Sequence, residues 1–193
     1  GVLDVGGNYT VSGTLQGNQT IAPTGNLTLL LGGSAVDTVP VAGNGPWQAT
    51  VPVADNATPG NTTLTVIYSG DNYHPATAGS ANLTLRGWTM LQLESLSGMR
   101  DAPALLRGNL TDNRGLPVEG AAVALQWDFT WIGEALTDAN GQFSLPHNIS
   151  QETTGAHTLH GWFNSTLTLN GSSAVAGAVI ESDTFLLLED CTA

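Results

Sequence analysis

Apolar residues recur at every second position in short runs along this chain: residues 9–15, 27–31, 35–41, 47–53, 63–69 and 81–85. Alternation of period two puts the apolar side chains of an extended segment on one face and the polar ones on the other. Glycine, asparagine, aspartate and proline punctuate these runs, as expected of antiparallel strands joined by tight turns. The pattern returns at 90–93, 105–110, 121–127, 131–137, 142–145, 157–163 and 175–180. No segment shows a helical period. The pattern predicts an all-β chain with strands every 10 to 15 residues, the spacing of β-sandwiches.

Laid on itself at an offset of 95, the chain matches Gly13 with Gly108, Leu15 with Leu110, Gly25 with Gly120, Gly60 with Gly155, Thr63 with Thr158, Leu64 with Leu159 and Tyr68 with Phe163. With one extra residue, Asn44-Gly45 and Trp47 fall on Asn140-Gly141 and Phe143. Two copies of one domain are therefore expected, over residues 1–86 and 87–182, with a tail at 183–193. The junction near residues 86–88 has no Gly/Ser linker and predicts close, stiff spacing.

Two stretches carry a family resemblance. Tyr68-Ser69-Gly70-Asp71-Asn72-Tyr73 resembles the strand and turn of prokaryotic immunoglobulin-like repeat domains. Residues 108–120, followed by Thr137-Asp138-Ala139-Asn140-Gly141-Gln142-Phe143, are similar to the same repeats and to carboxypeptidase-regulatory-like surface modules. The second copy departs from the first, with Asn164-Ser165-Thr166 where Gly-Asp would stand. The resemblance implies two tandem immunoglobulin-like antiparallel β-sandwich domains plus a C-terminal extra strand. It also implies a secreted or surface-anchored modular protein that spaces, adheres or assembles.

Asparagine placement is the strongest chemical signal. Ten of 14 asparagines open Asn-x-Ser/Thr with x not proline: Asn8, Asn18, Asn26, Asn56, Asn61, Asn82, Asn109, Asn148, Asn164 and Asn170. With 36 Ser and Thr in 193 residues, chance placement gives only about three. Such an excess predicts covalent N-linked glycans and an extracellular or cell-surface location.

Charge narrows the partners. Sixteen acids face four arginines and no lysine, a net charge of -12. Nucleic acid and anionic membranes both need a cationic surface and are not expected partners. Without lysine, the Lys-Asn isopeptide bonds that staple many pilus-type domains cannot form. No apolar run reaches the 18 or so residues of a membrane span, and the first residue, Gly1, fits a processed or trimmed chain. The single cysteine, Cys191, allows no intrachain disulfide and is expected to be free or incidental.

The repeat also singles out the tail. At the same offset, Thr184, Phe185, Leu186, Leu187, Leu188 and Glu189 fall on residues 89–94, the leading strand of the second domain. The first domain's own leading strand would lie before residue 1, and Val2 to Val5 fit that slot only if the next connection is shortened. An apolar strand and a sandwich short of one solve each other's problem by β-strand addition. Repeated head to tail, this gives an open filament of the chain with itself. Two alternatives stand beside it: the tail pairs with its own second domain, or the chain is cut from a longer array.

Catalytic chemistry is not indicated, and neither a metal nor a cofactor is expected. His157 and His160, three apart on a strand, face opposite sides and cannot chelate together. These two, His74 and His147 read as surface histidines. Asp138 and Asn140 resemble the opening of a calcium loop but lack its further ligands, and suit a hairpin turn better. Asp71, Asn72 and Tyr73 read as a turn closed by side-chain hydrogen bonds. Trp127, Phe129 and Trp131 suggest a sugar-stacking platform, with core packing favoured. Glu181 and Asp183 show no pocket to split their pKa values. The function expected is therefore a non-enzymatic structural subunit of a surface filament. The alternatives are an adhesin or stalk module binding glycans or surface proteins, and an accessory domain pair of a larger exported protein.

Overall fold

The computed structural model describes residues 1–17, 20–100 and 102–187, so Asn18, Leu188, Glu189 and Cys191 lie outside the described residues. The chain divides into two compact units, one of Gly1–Trp88 with Ser165–Asn170, the other of Thr89–Asn164 with the chain from Gly171 on.

Unit 1 has a five-stranded sheet and a two-stranded one. The first runs β1 (Val2–Asp4), β7 (Thr77–Arg86), β6 (Gly60–Tyr68), β3 (Thr24–Leu31), β4 (Ser34–Ala42); the second pairs β2 (Asn8–Leu15) with β5 (Gly45–Pro52). The alternating positions supply the core: Leu29, Ala49, Val51 and Leu64 form one buried cluster, and Val5, Val53 and Leu85 another. Strand β1 runs parallel to β7 with Asp4 opposite Arg86, and the guanidinium donates to the Asp4 carboxylate at 2.8 Å. That hydrogen bond holds the Asp4 pKa below its ordinary value against a smaller opposing effect of burial.

Unit 2 repeats the plan with one strand more. Its three-stranded sheet runs β13 (Gln142–His147), β10 (Ala104–Asp112), β8 (Thr89–Leu93), and its five-stranded sheet β12 (Thr130–Leu136), β11 (Ala122–Trp127), β14 (Gly155–Phe163), β15 (Ser172–Glu181), β9 (Leu96–Met99). Inward residues of both sheets interdigitate. A Cβ on Gly161 of β14 would stand 3.1 Å from the side chains of Leu125 and of Leu93 on β8. The sheets pack as an immunoglobulin-like sandwich in each unit.

Two strands, β1 and β9, are not among those that alternation predicts. Each is short, three and four residues, and each pairs in parallel with the last strand of its unit. Val2–Asp4 therefore occupies the place of β9, in the five-stranded sheet, and not that of β8. The described tail residues 184–187 belong to no strand, so among the described residues the tail does not pair with its own second domain.

Candidate assembly edge

Strands β2 and β10 hold equivalent places, and their surroundings differ on one side. Strand β10 is flanked by β13 and by β8, the latter antiparallel with Leu110 opposite Leu91 and Gly108 opposite Leu93. Strand β2 is paired with β5 alone; among the described residues its outer edge carries no strand. Inward residues register the difference. Leu110, opposite Leu91 of β8, is 0% exposed, whereas its counterpart Leu15 is only half-buried. An open strand edge with half-covered apolar residues is a template for another strand.

Beside that edge lies a cavity of about 220 Å³, lined among others by Leu15, Leu27, Trp47, Val66, Tyr68 and Gly79. In unit 2 the corresponding space is closed by β8, which lies against β14 and β15 as well as β10. Val66 stands where Gly161 leaves room for Leu93, and fills part of that space. Gly108 shows how tightly the extra strand seats, since a Cβ there would collide with the Gln92 carbonyl oxygen. At the equivalent Gly13 the nearest neighbours are atoms of the Trp47 ring, with no backbone among them.

The tail has the complementary character. Phe185, Leu186 and Leu187 are 86%, 90% and 84% exposed, a costly state for three large apolar side chains in water. Transferring the β8 register by the offset of 95 sets Leu186 opposite Leu15 and Leu187 opposite Thr14. Leu91 and Gln92 are buried and exposed respectively, so Leu186 is the inward residue of the pair.

Seven of the nine described sequon asparagines are exposed: Asn8, Asn26, Asn56, Asn61, Asn82, Asn148 and Asn164; Asn109 and Asn170 are half-buried. The sequons of Asn61 and Asn82 interlock on neighbouring strands. Asn61 stands opposite Thr84 and Thr63 opposite Asn82, and each threonine hydroxyl donates to the facing amide oxygen, at 3.2 and 3.5 Å. The amide nitrogen of Asn170 donates to the Asp4 carboxylate at 3.3 Å, which engages the atom a glycan would need.

The other polar clusters are structural. Asp71 accepts from the Thr24, Tyr73 and His74 backbone N–H groups at 2.8 Å each, from the Tyr68 hydroxyl at 3.1 Å and from His74 Nδ1 at 2.9 Å. The Thr24 bond above all holds its carboxyl far below the usual range, against an opposing effect of burial. The turn reading of Asp71 therefore stands, while His74 is buried rather than a surface residue. Asp138 accepts from the Asn140 and Gln142 N–H groups, both at 2.8 Å, and Gly141 takes φ 72°, the hairpin that Asn-Gly favours. Among the described residues, no three His, Cys, Asp or Glu side chains gather as a metal site.

Trp127 is 2% exposed and belongs to the core, whereas Phe129 and Trp131 are 75% and 52% exposed. Trp127 packs between the rings of His147 and His157, at 5.0 and 5.1 Å. His157, expected at the surface, is buried. Its Nδ1–H donates to Asp128, and its Nε2–H donates to the Thr153 carbonyl at 2.7 Å. The Asp128 bond raises the His157 pKa above its ordinary 6.5, with burial opposing and Thr153 and Glu152 adding. For Asp128, burial works upward, and the bonds from His157 and the Thr158 N–H more than reverse it, leaving it below 3.8.

Linkage fixes the sign. The raised histidine stabilises fully below 6.5 and loses that contribution as pH rises through its folded pKa; the depressed aspartate stabilises above 3.8 and loses it in acid. The pair thus contributes most from about pH 4 to about pH 6.5, and less as the pH rises through the raised histidine value. His157→Gln is expected to lower the thermal midpoint of unit 2 clearly at about pH 6 and much less at about pH 9. Equal losses at both values, measured by calorimetry, contradict the pairing.

No protein-family model matches the chain, and no curated protein sequence matches it. Among solved structures, it is similar to an I-band fragment of titin, with a TM-score of 0.55 and 16% identity over 94% of this chain and 62% of that one. It is likewise similar to a fragment of the ICAM-5 ectodomain, at 0.52 and 19% over 94% and 51% of the two chains. A weaker likeness links it to a bacterial ice-binding adhesin, at 0.42 and 14% over 95% and 61%. The titin and ICAM-5 likenesses are likenesses of fold, and with the strand orders above they place both units in the immunoglobulin-like β-sandwich class.

Proposed function

We propose that this chain is an extracellular, N-glycosylated structural protein whose copies join by β-strand complementation into a surface filament. The observation that carries the reading is the open β2 edge beside the Leu15 cavity, at the place that β8 fills in unit 2. Residues 184–189 repeat the β8 segment at the offset of 95, and those of them described are unpaired and exposed. Seated along the Leu15 end of β2, the tail of one copy covers Leu15 and satisfies both backbone edges. The interaction is head to tail, so each added copy presents a further open edge and a further tail to the next. The sequon excess supports an exported location and supplies solubility that a lysine-free surface lacks.

The internal repeat favours a second reading as well. Residues 184–189 then open a further repeat in a tandem array, and the segment leading into residue 1 serves the β2 edge. Negative-stain microscopy and sedimentation of the chain secreted by a glycosylating host separate the two. Uniform fibres that lengthen with concentration support strand exchange between copies; a monomer at all concentrations favours the array.

A further inference from the structure

The outer face of the β12-β11-β14 sheet carries aromatic rings that the sandwich core does not use. Inward residues of β11 are Val123, Leu125 and Trp127, all buried, so Ala124 and Gln126 point outward. Gln126 stands between Trp131 and His160, and Ala124 between Glu134 and Trp162. Although it points outward, Ala124 is only 3% exposed. The Trp131 and Trp162 rings reach toward each other beside it, with centroids 5.8 Å apart and planes at 54°. Phe129 lies against the His160 ring at 4.8 Å. Trp131 remains 52% exposed and Phe129 75%.

Asn164 opens a sequon just past the end of β14, two residues after Trp162, and is exposed. Phe163 between them is buried, whereas Trp162 is half-buried and Asn164 exposed, and two residues of extended chain span roughly 6.6 Å, a distance one sugar ring bridges. Of the ten sequons, this one alone has an aromatic residue two positions before its asparagine. A pyranose presents a face of C–H bonds that packs on the electron-rich face of an indole.

We infer that the glycan on Asn164 folds back over Trp162 and Trp131 and covers this aromatic face of unit 2. The inference rests on the reading of the sequons as used, and is independent of strand exchange. The glycan arrives by transfer from a lipid-pyrophosphate-linked oligosaccharide. Asn164 Nδ2 forms the bond to C1 of the first sugar, the C1–O bond to phosphate breaks, the lipid pyrophosphate leaves with the electron pair, and the amide proton passes to a base.

The test compares four chains secreted by a glycosylating eukaryotic host: unaltered, Asn164→Gln, Trp162→Ala, and both together, each with the other sequons intact. Peptide mass spectrometry reads occupancy at Asn164, and calorimetry and acrylamide quenching of tryptophan read the face. Asn164→Gln is expected to lower the unit 2 midpoint by several degrees and raise quenching when Trp162 is present, and to do neither in the alanine background. Nuclear Overhauser contacts between the first sugar and the Trp162 indole are expected in the unaltered chain. Should Trp162→Ala fail to fold, Trp131→Ala serves in its place.

Equal effects of Asn164→Gln in both backgrounds overturn the inference, as does an unmodified Asn164. Binding of a soluble oligosaccharide through Trp131 to the unaltered chain glycosylated at Asn164 also overturns it, and marks the face as a receptor for free sugar. Fibre formation is read separately on all four chains, and occupancy at the remaining sequons is read in the same mass spectra. Failure here is thereby distinguished from failure of strand exchange or of glycosylation as a whole.

Discussion

Leu186→Asp is expected to abolish fibres, while Leu187→Asp leaves them intact. The two residues are neighbours, both leucine and nearly equally exposed, at 90% and 84%. A general stickiness of the tail would make the two changes equivalent. In the β8 register they are opposite in kind, because Leu186 takes the place of buried Leu91 and Leu187 that of exposed Gln92. Losing the burial of one leucine costs about 2 kcal/mol, and forcing a carboxylate into an apolar cavity costs more. Association should therefore weaken more than about thirtyfold, enough to remove fibres at micromolar concentrations. Microscopy and sedimentation of the two variants read the result directly. Equal loss, or loss with Leu187→Asp alone, contradicts the register.

The second large effect separates the two units. Leu110→Ala removes a side chain that is 0% exposed, with β8 on one side of its strand and β13 on the other. The expected cost is about 2–5 kcal/mol, on the order of 15 °C in the midpoint of a unit of this size. Leu15→Ala, the equivalent change in unit 1, strikes a half-buried residue that has no strand on the outer side of β2 among the described residues. In dispersed chain its cost should be well under half that of Leu110→Ala. In assembled material the gap should narrow, because the incoming strand buries Leu15. Calorimetry before and after assembly checks both parts. Similar losses in dispersed chain would mean that the β2 edge is already covered.

Alternation made most of the sandwich legible, because nearly every strand has one face in the core. Strands β1 and β9 escaped it: three or four residues hold no period, and parallel pairing along an edge uses backbone groups that any sequence carries. The open β2 edge of unit 1 was legible only through the internal repeat, since it shows only against a second copy. Histidines were misread because their partners are set by turns. His157 meets Asp128 at a hairpin where Asp128 and Phe129 take φ 44° and 67°, and nothing in an Asp-Phe pair announces left-handed backbone. The Trp131–Trp162 pair spans an intervening strand, a distance in sequence that local motifs do not reach. Asn170 opens a valid sequon, and only the fold shows its amide nitrogen held by Asp4.

In a filament joined by strand exchange, the tail of one copy lies antiparallel along β2 of another, with residue 187 opposite residue 14. Directly paired Cα atoms on antiparallel strands are about 4.5–5.5 Å apart, within reach of a disulfide. The most direct measurement is therefore oxidative cross-linking of Thr14→Cys/Leu187→Cys with Cys191→Ser to remove the native thiol. A ladder of covalent oligomers, with none from a Thr10→Cys/Leu187→Cys control, is the predicted result. A cross-link confined within single chains, no cross-link, or equal ladders from both pairs would contradict it.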